Sequence, residues 1–288
     1  MTANTRDILI GHGLAPSKKR GQNFLKHRST ALGIVAKAGF SKEDHIVEVG
    51  VGLGALTLCL AEQVARVTGI EIDRGIVAYL QQTEKLPSNV NLLHEDVLKS
   101  DFSLLHQEIG RPLKILSNLP YSISNPFIFK LIDKRTLVER AVILLQKEMA
   151  LRLTASPHNK DYGIPSVLLQ SCADARQLMQ VGAAEFHPRP QVDSLLVEIR
   201  FDPRRIADEQ FTTLRDTVRA AFSSRRKTLI NNLVASLPAD IFGTADKSQK
   251  REFISERIEA AGLKSDIRAE NISVEEFRNL ARRLHDRH

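Results

Sequence analysis

HIVEVGVGLG, residues 45–54, running on into ALTLCLAEQV, residues 55–64, decides the fold. His45–Val49 is a short β-branched run that breaks into Gly50, Gly52 and Gly54, and the Ala- and Leu-rich stretch Ala55–Val64 has the composition of a helix. The reading is strand, glycine turn, helix. Glycines at such a turn let the backbone approach a ligand closely, and the free amides of the helix start face it. About twenty residues further on, the predicted strand Val67–Ile72 carries Glu71 near its end, where a carboxylate can grip both hydroxyls of a ribose. The unit reads as a mononucleotide binder within an α/β sheet.

The spacing alone leaves the nucleotide open. Gly50-x-Gly52-x-x-Ala55 followed by Glu71 also satisfies the dinucleotide fingerprint of dehydrogenases, so NAD is the first alternative. Two acids count against it. Glu48 lies two residues before the first glycine, as is usual when the ligand is S-adenosylmethionine. Asp96 follows the predicted strand Val90–Leu93, where an acid can accept a hydrogen bond from an adenine amine.

Just past the apolar run Leu113–Leu116 comes Asn118-Leu119-Pro120-Tyr121. An exocyclic amine on a flat base is a poor nucleophile, because its lone pair is delocalised into the ring. A side-chain amide oxygen and a backbone carbonyl that accept its hydrogens favour a pyramidal nitrogen, and a stacked aromatic ring holds the base still. Asn118, the Leu119 carbonyl, the rigid Pro120 and Tyr121 fit those roles.

From Ser41 to about Arg200 strands alternate with helices, the pattern of a mostly parallel sheet covered on both faces. Ala141–Leu145 reads as the strand after the tetrad, and Ser194–Phe201 as a late strand returning by a hairpin. After Asp202-Pro203 the period changes: Phe211, Leu214 and Val218 recur at helical spacing, as do Phe277, Leu280 and Leu284, and Ser273 with Glu276 makes a capping box. The expectation is two domains, 1–202 carrying the ligand-binding unit and 203–288 small, all-helical and RNA-contacting.

Composition bounds the partners. The 288 residues carry 41 Lys and Arg against 34 Asp and Glu, a net +7 that suits a polyanion. The charge is clustered: Lys18-Lys19-Arg20 precedes the ligand-binding unit, Arg204-Arg205 falls at the domain junction, and Arg225, Arg226 and Lys227 follow Ser223-Ser224. Grouped on one side of a cleft such cations bind phosphates. The two cysteines, Cys59 and Cys172, suggest a reducing compartment without a disulfide framework, and the nine histidines show no metal-ligand spacing. No long apolar stretch occurs, so neither a signal peptide nor a membrane span is expected. A cytoplasmic monomer is the simplest expectation. Trp is absent, which leaves Tyr121 and Phe186 as the obvious stacking residues.

Taken together, Lys18–Leu25 with Gln22-Asn23-Phe24-Leu25, Glu48–Gly54, Glu71, Asp96, Asn118–Tyr121, Gln146-Lys147-Glu148, Phe186–Ser194 and Arg225–Leu233 resemble the ribosomal RNA adenine dimethyltransferase family. The likeness runs from about Lys18 to the last helix. It implies a Rossmann-like methyltransferase fold with a mostly parallel seven-stranded sheet and a small C-terminal helical domain. It implies S-adenosyl-L-methionine as cofactor, with Asn23, Leu25, Gly50, Glu71, Asp96 and Asn118 contacting it. Tyr121 and Phe186 would enclose the target adenine. The substrate implied is small-subunit ribosomal RNA in an assembling 30S particle, dimethylated at two adjacent adenosines near its 3′ end. Two alternatives stay open: a related large-subunit enzyme of the macrolide-resistance type, and an assembly factor acting mainly by binding. Val51 departs from the Pro usual in the family, and Arg189 interrupts a run that is more often consecutive prolines. Neither removes a ligand-bearing atom, so only local loop stiffness should change.

Overall fold

A computed structural model describes residues 5–16, 21–83, 86–238, 241 and 246–285. In chain order the elements are α1 (Thr5–Gly11), β1 (Phe24–Leu25), α2 (Arg28–Ala38), β2 (His45–Val49), α3 (Ala55–Ala61), β3 (Arg66–Glu71), α4 (Arg74–Gln82), β4 (Val90–His94), α5 (Phe102–Ile109), β5 (Leu113–Asn118), α6 (Ser124–Asp133), β6 (Val138–Gln146), α7 (Lys147–Leu153), α8 (Ile164–Cys172), β7 (Ala173–Val181), β8 (Phe186–His187), β9 (Ser194–Phe201), α9 (Asp208–Ala221), α10 (Leu229–Ser236), α11 (Lys247–Ala260) and α12 (Val274–His285).

Seven strands form one sheet in the order β4-β3-β2-β5-β6-β9-β7, parallel from β4 to β6, with β9 antiparallel to β6. This is the Rossmann-like methyltransferase sheet that the family resemblance implies. β2 lies between β3 and β5, so the strand order reverses there and a crevice opens at the carboxyl ends of these strands. Ile46, Val47, Glu48 and Val49 are all buried, as a central strand covered on both faces requires. One apolar cluster joins Ile46, Leu116, Val142 and Leu196 of the sheet to Ile34, Val35, Leu56 and Leu60 of the helices.

Beyond one-residue shifts at the ends of β3 and β4, three elements differ from their expected form. α3 ends at Ala61 rather than Val64. β6 begins three residues before Ala141, because Arg140 sits inside the ladder, paired with Arg200. β7 (ADARQLMQV) has no counterpart in the sequence reading: it is an edge strand with most side chains at least partly exposed, so it lacks the apolar run that marks the central strands.

The chain divides into two compact units, Met1–Ala150 with Asp174–Phe201, and Leu151–Ala173 with Asp202–His288. Leu151–Ala173, expected within 1–202, therefore groups with the later residues. Its packing explains this: the buried Tyr162 hydroxyl donates to the Ile272 carbonyl at 3.0 Å, and the Arg278 guanidinium donates to the Ser171 carbonyl. Within this unit α12 buries Phe277, Leu280, Ala281 and Leu284, and its start is capped reciprocally by Ser273 and Glu276. Among the described residues no helix is long and apolar enough to cross a membrane.

Candidate active site

A cavity of about 720 Å³ opens at the carboxyl ends of β2, β3 and β5, walled on one side by the segment Gln22–Leu25. The glycine turn makes it possible. Gly50 has φ +77°, and a Cβ there would lie 3.4 Å from the Asn118 carbonyl oxygen, so the turn after β2 rests directly on the backbone of the tetrad. Gly52, at φ +55°, brings its backbone against the Phe24 ring, where a Cβ would stand 3.2 Å from Cδ1. Val51 packs over Gly69 of β3: a Cβ on Gly69 would come within 2.6 Å of its Cγ2. The departure at position 51 is thus accommodated by a notch in the neighbouring strand.

Glu71 ends β3 with its carboxylate held by two amides, Gly52 N–H on Oε2 and Asp73 N–H on Oε1, both at 2.9 Å. Each oxygen keeps a second lone pair for a ligand hydroxyl. Burial pushes its pKa up, and the two amides oppose the shift. Asp96 is half-buried on the cavity wall, with Oδ1 accepting the Leu98 amide at 2.9 Å and Oδ2 left to a ligand.

Glu48 is the most unusual group of the site. It lines the cavity, is 0% exposed, and neither carboxylate oxygen has a hydrogen-bond partner among the described residues. Burial, with a smaller contribution from the charge of Glu71, pushes its pKa up to about 8. The nearby Thr57 hydroxyl opposes the shift without closing a hydrogen bond of ordinary geometry.

Asn118 also faces the cavity. Its Nδ2 donates to the Asn23 carbonyl at 3.2 Å, which fixes the amide and presents Oδ1 as an acceptor. Asn23 is anchored in turn, its Nδ2 donating to the Gly21 carbonyl at 2.9 Å. The cavity therefore gathers Asn23, Leu25, Gly50, Glu71, Asp96, Asn118 and Pro120 from the residues chosen by sequence.

The other chosen residues stand apart from this wall. The Leu119 side chain is buried. Tyr121 is half-buried, and its hydroxyl lies 3.1 Å from the Ser194 hydroxyl. Phe186 is the second expected stacking residue. It is 2% exposed and belongs to the apolar core with Leu25 and Ile34, because β8 pairs with β1 and sets Phe186 opposite Leu25. Its ring is not open to a base in this structure. Lys18, Lys19 and Arg20 lie outside the described residues. Arg225, Arg226 and Lys227 are exposed in the second unit. Sequence reasoning missed Ile72, an exposed apolar residue on the cavity wall, and Ser194 as the partner of Tyr121. The first follows directly on Glu71 and was findable. The second depends on strand pairing across 73 residues.

The family model described as ribosomal RNA adenine dimethylase matches residues 15–282. Ribosomal RNA small subunit methyltransferase A of Desulfotalea psychrophila is 46% identical over 275 residues, covering 95% of this chain and 92% of the relative. The protein of the same name from Prosthecochloris aestuarii is 39% identical, covering 94% and 95%. Among solved structures, a dimethyladenosine transferase from Plasmodium falciparum superposes with a TM-score of 0.73 at 23% identity, covering 89% of this chain and 95% of that one, which speaks for the fold. The match spans the glycine turn and the tetrad alike, so the dehydrogenase alternative, which left Asn118–Tyr121 without a task, is set aside. The chain belongs to the ribosomal RNA adenine dimethylase family.

Proposed function

We propose that this protein transfers methyl groups from S-adenosyl-L-methionine to the exocyclic amines of two adjacent adenosines near the 3′ end of small-subunit ribosomal RNA. The observation that carries the reading is Asn118, an amide pinned through its nitrogen to Asn23 at the edge of a nucleoside-sized cavity, with its oxygen left to accept. An amide in that state suits an amine that must be oriented and stripped of conjugation.

The cavity fits the cofactor on its own chemistry. Glu71 offers two anchored oxygens for the ribose hydroxyls, and Asp96 Oδ2 suits the adenine amine. The buried carboxylate of Glu48, without a partner among the described residues, suits the cationic amino-acid end, beside the bare backbone of Gly50. When bound, the cofactor supplies an electrophilic methyl group on a sulfonium.

The protein's own part is orientation. Asn118 Oδ1 and the Leu119 carbonyl accept the two hydrogens of the target amine and turn its lone pair along the line of approach, so alignment rather than proton abstraction limits the rate. No general base is required, because the proton leaves only after the nitrogen has become cationic. Tyr121, tethered to Ser194, supplies the face on which the base stacks. Phe186 would take part only after leaving the core. We assign the substrate context to the assembling 30S particle and the enzyme to the cytoplasm as a monomer.

The test is incubation with labelled cofactor and unmethylated small subunits, with large subunits in parallel, followed by nucleoside analysis by mass spectrometry. Dimethyladenosine in small-subunit RNA is expected. Label confined to large subunits, or monomethyl product alone, overturns the assignment.

A further inference from the structure

The connection between β4 and α5 carries Asp96 and is built as one tight turn. The Asp96 carbonyl accepts the Lys99 amide at 2.8 Å and the Ser100 amide at 2.9 Å, while Asp96 Oδ1 accepts the Leu98 amide at 2.9 Å. Ser100 Oγ closes the turn by donating to Glu95 Oε2 at 2.8 Å. Where Asp96 Oδ2 stands is therefore set by where the whole turn stands.

A lysine behind the cavity wall fixes that place. Lys130 Nζ donates to the Val97 carbonyl at 2.7 Å and to the Ser100 carbonyl at 2.5 Å, so it grips the turn at two points. The same Nζ lies 4.6 Å from the centroid of the buried Phe102 ring, at the first residue of α5. On α6, Lys130 follows Phe127 by three residues and directly precedes Leu131, both 0% exposed, which puts an ammonium at the edge of a buried helix face. Burial lowers its pKa and the charge of Lys134 adds to that, whereas Asp96, Asp101 and Glu95 favour the charged form. Ordering a lysine there costs rotamer freedom and desolvation, a cost that a solvated position on the helix avoids. Leu98 lines the cofactor cavity and also an outer groove that it shares with Lys99, Ser100 and Lys130, so the turn is the partition between the two.

The helix that holds the turn is also the one that continues the tetrad. α6 starts at Ser124, and just before it the Ile123 amide donates to the Pro120 carbonyl at 3.1 Å. Lys130 thus ties the turn of Asp96 to the segment that presents Asn118.

We propose that Lys130 is a positioning residue for the adenine end of the cofactor: by holding the Asp96 turn against the helix that continues Asn118–Tyr121, it sets the preference for a 6-amino over a 6-oxo purine. The inference rests on the reading of Asp96 given under Proposed function. A 6-amine donates to a carboxylate oxygen, whereas a 6-oxo group meets that oxygen with a lone pair. A fixed Asp96 discriminates between them and a displaced one does not.

The experiment measures binding of S-adenosylhomocysteine and of its 6-oxo counterpart, S-inosylhomocysteine, to the full chain and to Lys130→Met, which keeps an unbranched stem and removes the donors. Wild type should prefer the amino ligand by about tenfold or more. Lys130→Met should bind S-adenosylhomocysteine about tenfold more weakly and S-inosylhomocysteine less than about twofold more weakly, so most of the preference disappears. The KM for the methyl donor should rise in the same proportion with kcat nearly kept. Lys130→Arg, which has donors for both carbonyls, should retain most of the preference. In the ligand-free Met variant the amides of Leu98, Lys99 and Ser100 should exchange faster with deuterium, while those of β2 keep wild-type protection. A lysine that served stability alone would weaken both ligands alike. Should Lys130→Met fail to fold, Lys130→Gln, which keeps one donor group, carries the same comparison with an expected loss of preference of about threefold. A preference retained in the folded variant, or equal losses for the two ligands, overturns the inference and leaves the reading of Asp96 standing. A wild type without any preference overturns both, because Asp96 then meets no adenine amine for Lys130 to serve.

Discussion

Two glutamates are buried in the same sheet and have opposite surroundings. Glu48, on β2, is 0% exposed and has no hydrogen-bond partner on either oxygen among the described residues. Glu198, on β9, is 1% exposed and is met by three guanidinium groups: Arg140 Nε at 2.6 Å, Arg176 Nε at 2.5 Å and Arg200 Nη2 at 2.8 Å. Burial pushes both pKa values up. For Glu198 the arginines overturn that effect and hold it below the usual carboxylate range, whereas Glu48 rises to about 8. A charge that serves only the fold is neutralised by the fold. A buried carboxyl left without a partner on a cavity wall is instead a candidate binding group.

The comparison can be broken first at Glu198. Glu198→Gln leaves three guanidinium groups converging on a neutral amide, and Arg140 is itself buried. Removing one member of a buried network costs on the order of 3–5 kcal/mol, and the solvent access of Arg176 and Arg200 places this case near about 3. The expected outcome is a clear drop in denaturant midpoint with cofactor affinity unchanged. A variant as stable as the wild type would mean the arginines do not need their carboxylate.

The largest effect on chemistry belongs to Asn118. Asn118→Ala should lower turnover by about 10²-fold or more, with modest change in cofactor affinity and little change in melting temperature, as for loss of an oriented polar group. Equal single-turnover rates for variant and wild type would remove Asn118 from the role given to it.

Glu48 sharpens the contrast through pH. Its folded pKa is raised, so its contribution to stability is complete below about 4.5 and is lost as pH rises towards about 8. Glu198, with its pKa lowered, contributes above the usual carboxylate range and loses that contribution as pH falls. Cofactor-free wild type should therefore lose melting temperature between about pH 5 and pH 8, and Glu48→Gln should flatten that slope. The same variant should bind the cofactor about tenfold more weakly at pH 8, where the wild-type carboxylate is available as a charge, and lose less at pH 6. Identical stability profiles in the two proteins would show that Glu48 does not titrate in this window.

How much of this was legible in the sequence follows from the same physics. β2, β3 and β5 are apolar runs that end in candidate site residues, so strand and site were read together, and Gly50, Glu71, Asp96 and Asn118 do line one cavity. Glu48 was visible because it precedes a glycine turn. Glu198 was not: within SLLVEIRF it looks like any solvent-facing residue of a strand, and its partner Arg140 lies 58 positions away. β7 was missed because an exposed edge carries polar residues, and Leu151–Ala173 was assigned to the wrong unit because only Tyr162 and α8, packed against distant residues, reveal where it belongs. Phe186 was given a stacking role by the family resemblance alone, and its burial follows from the pairing of β8 with β1, which no local pattern announces.

The smallest expected effect tests whether one strand serves both kinds of region. Ser194 and Glu198 are four residues apart on β9, so they lie on the same face of the strand about 13 Å apart. One end of that face anchors Tyr121 through a hydroxyl pair at 3.1 Å, and the other holds the arginine network. A neutral hydrogen bond contributes about 0.5–1.5 kcal/mol, so Ser194→Ala should slow turnover by only a few-fold and shift the melting temperature little. Tyr121→Phe removes the same bond from the other side and should show a similar loss. Because both changes delete one contact, the double variant should be no worse than the more impaired single variant. Additive losses would mean that the tyrosine hydroxyl and the serine act separately. A loss of stability comparable with that of Glu198→Gln would mean instead that Ser194 belongs to the structural end of the strand rather than to the site.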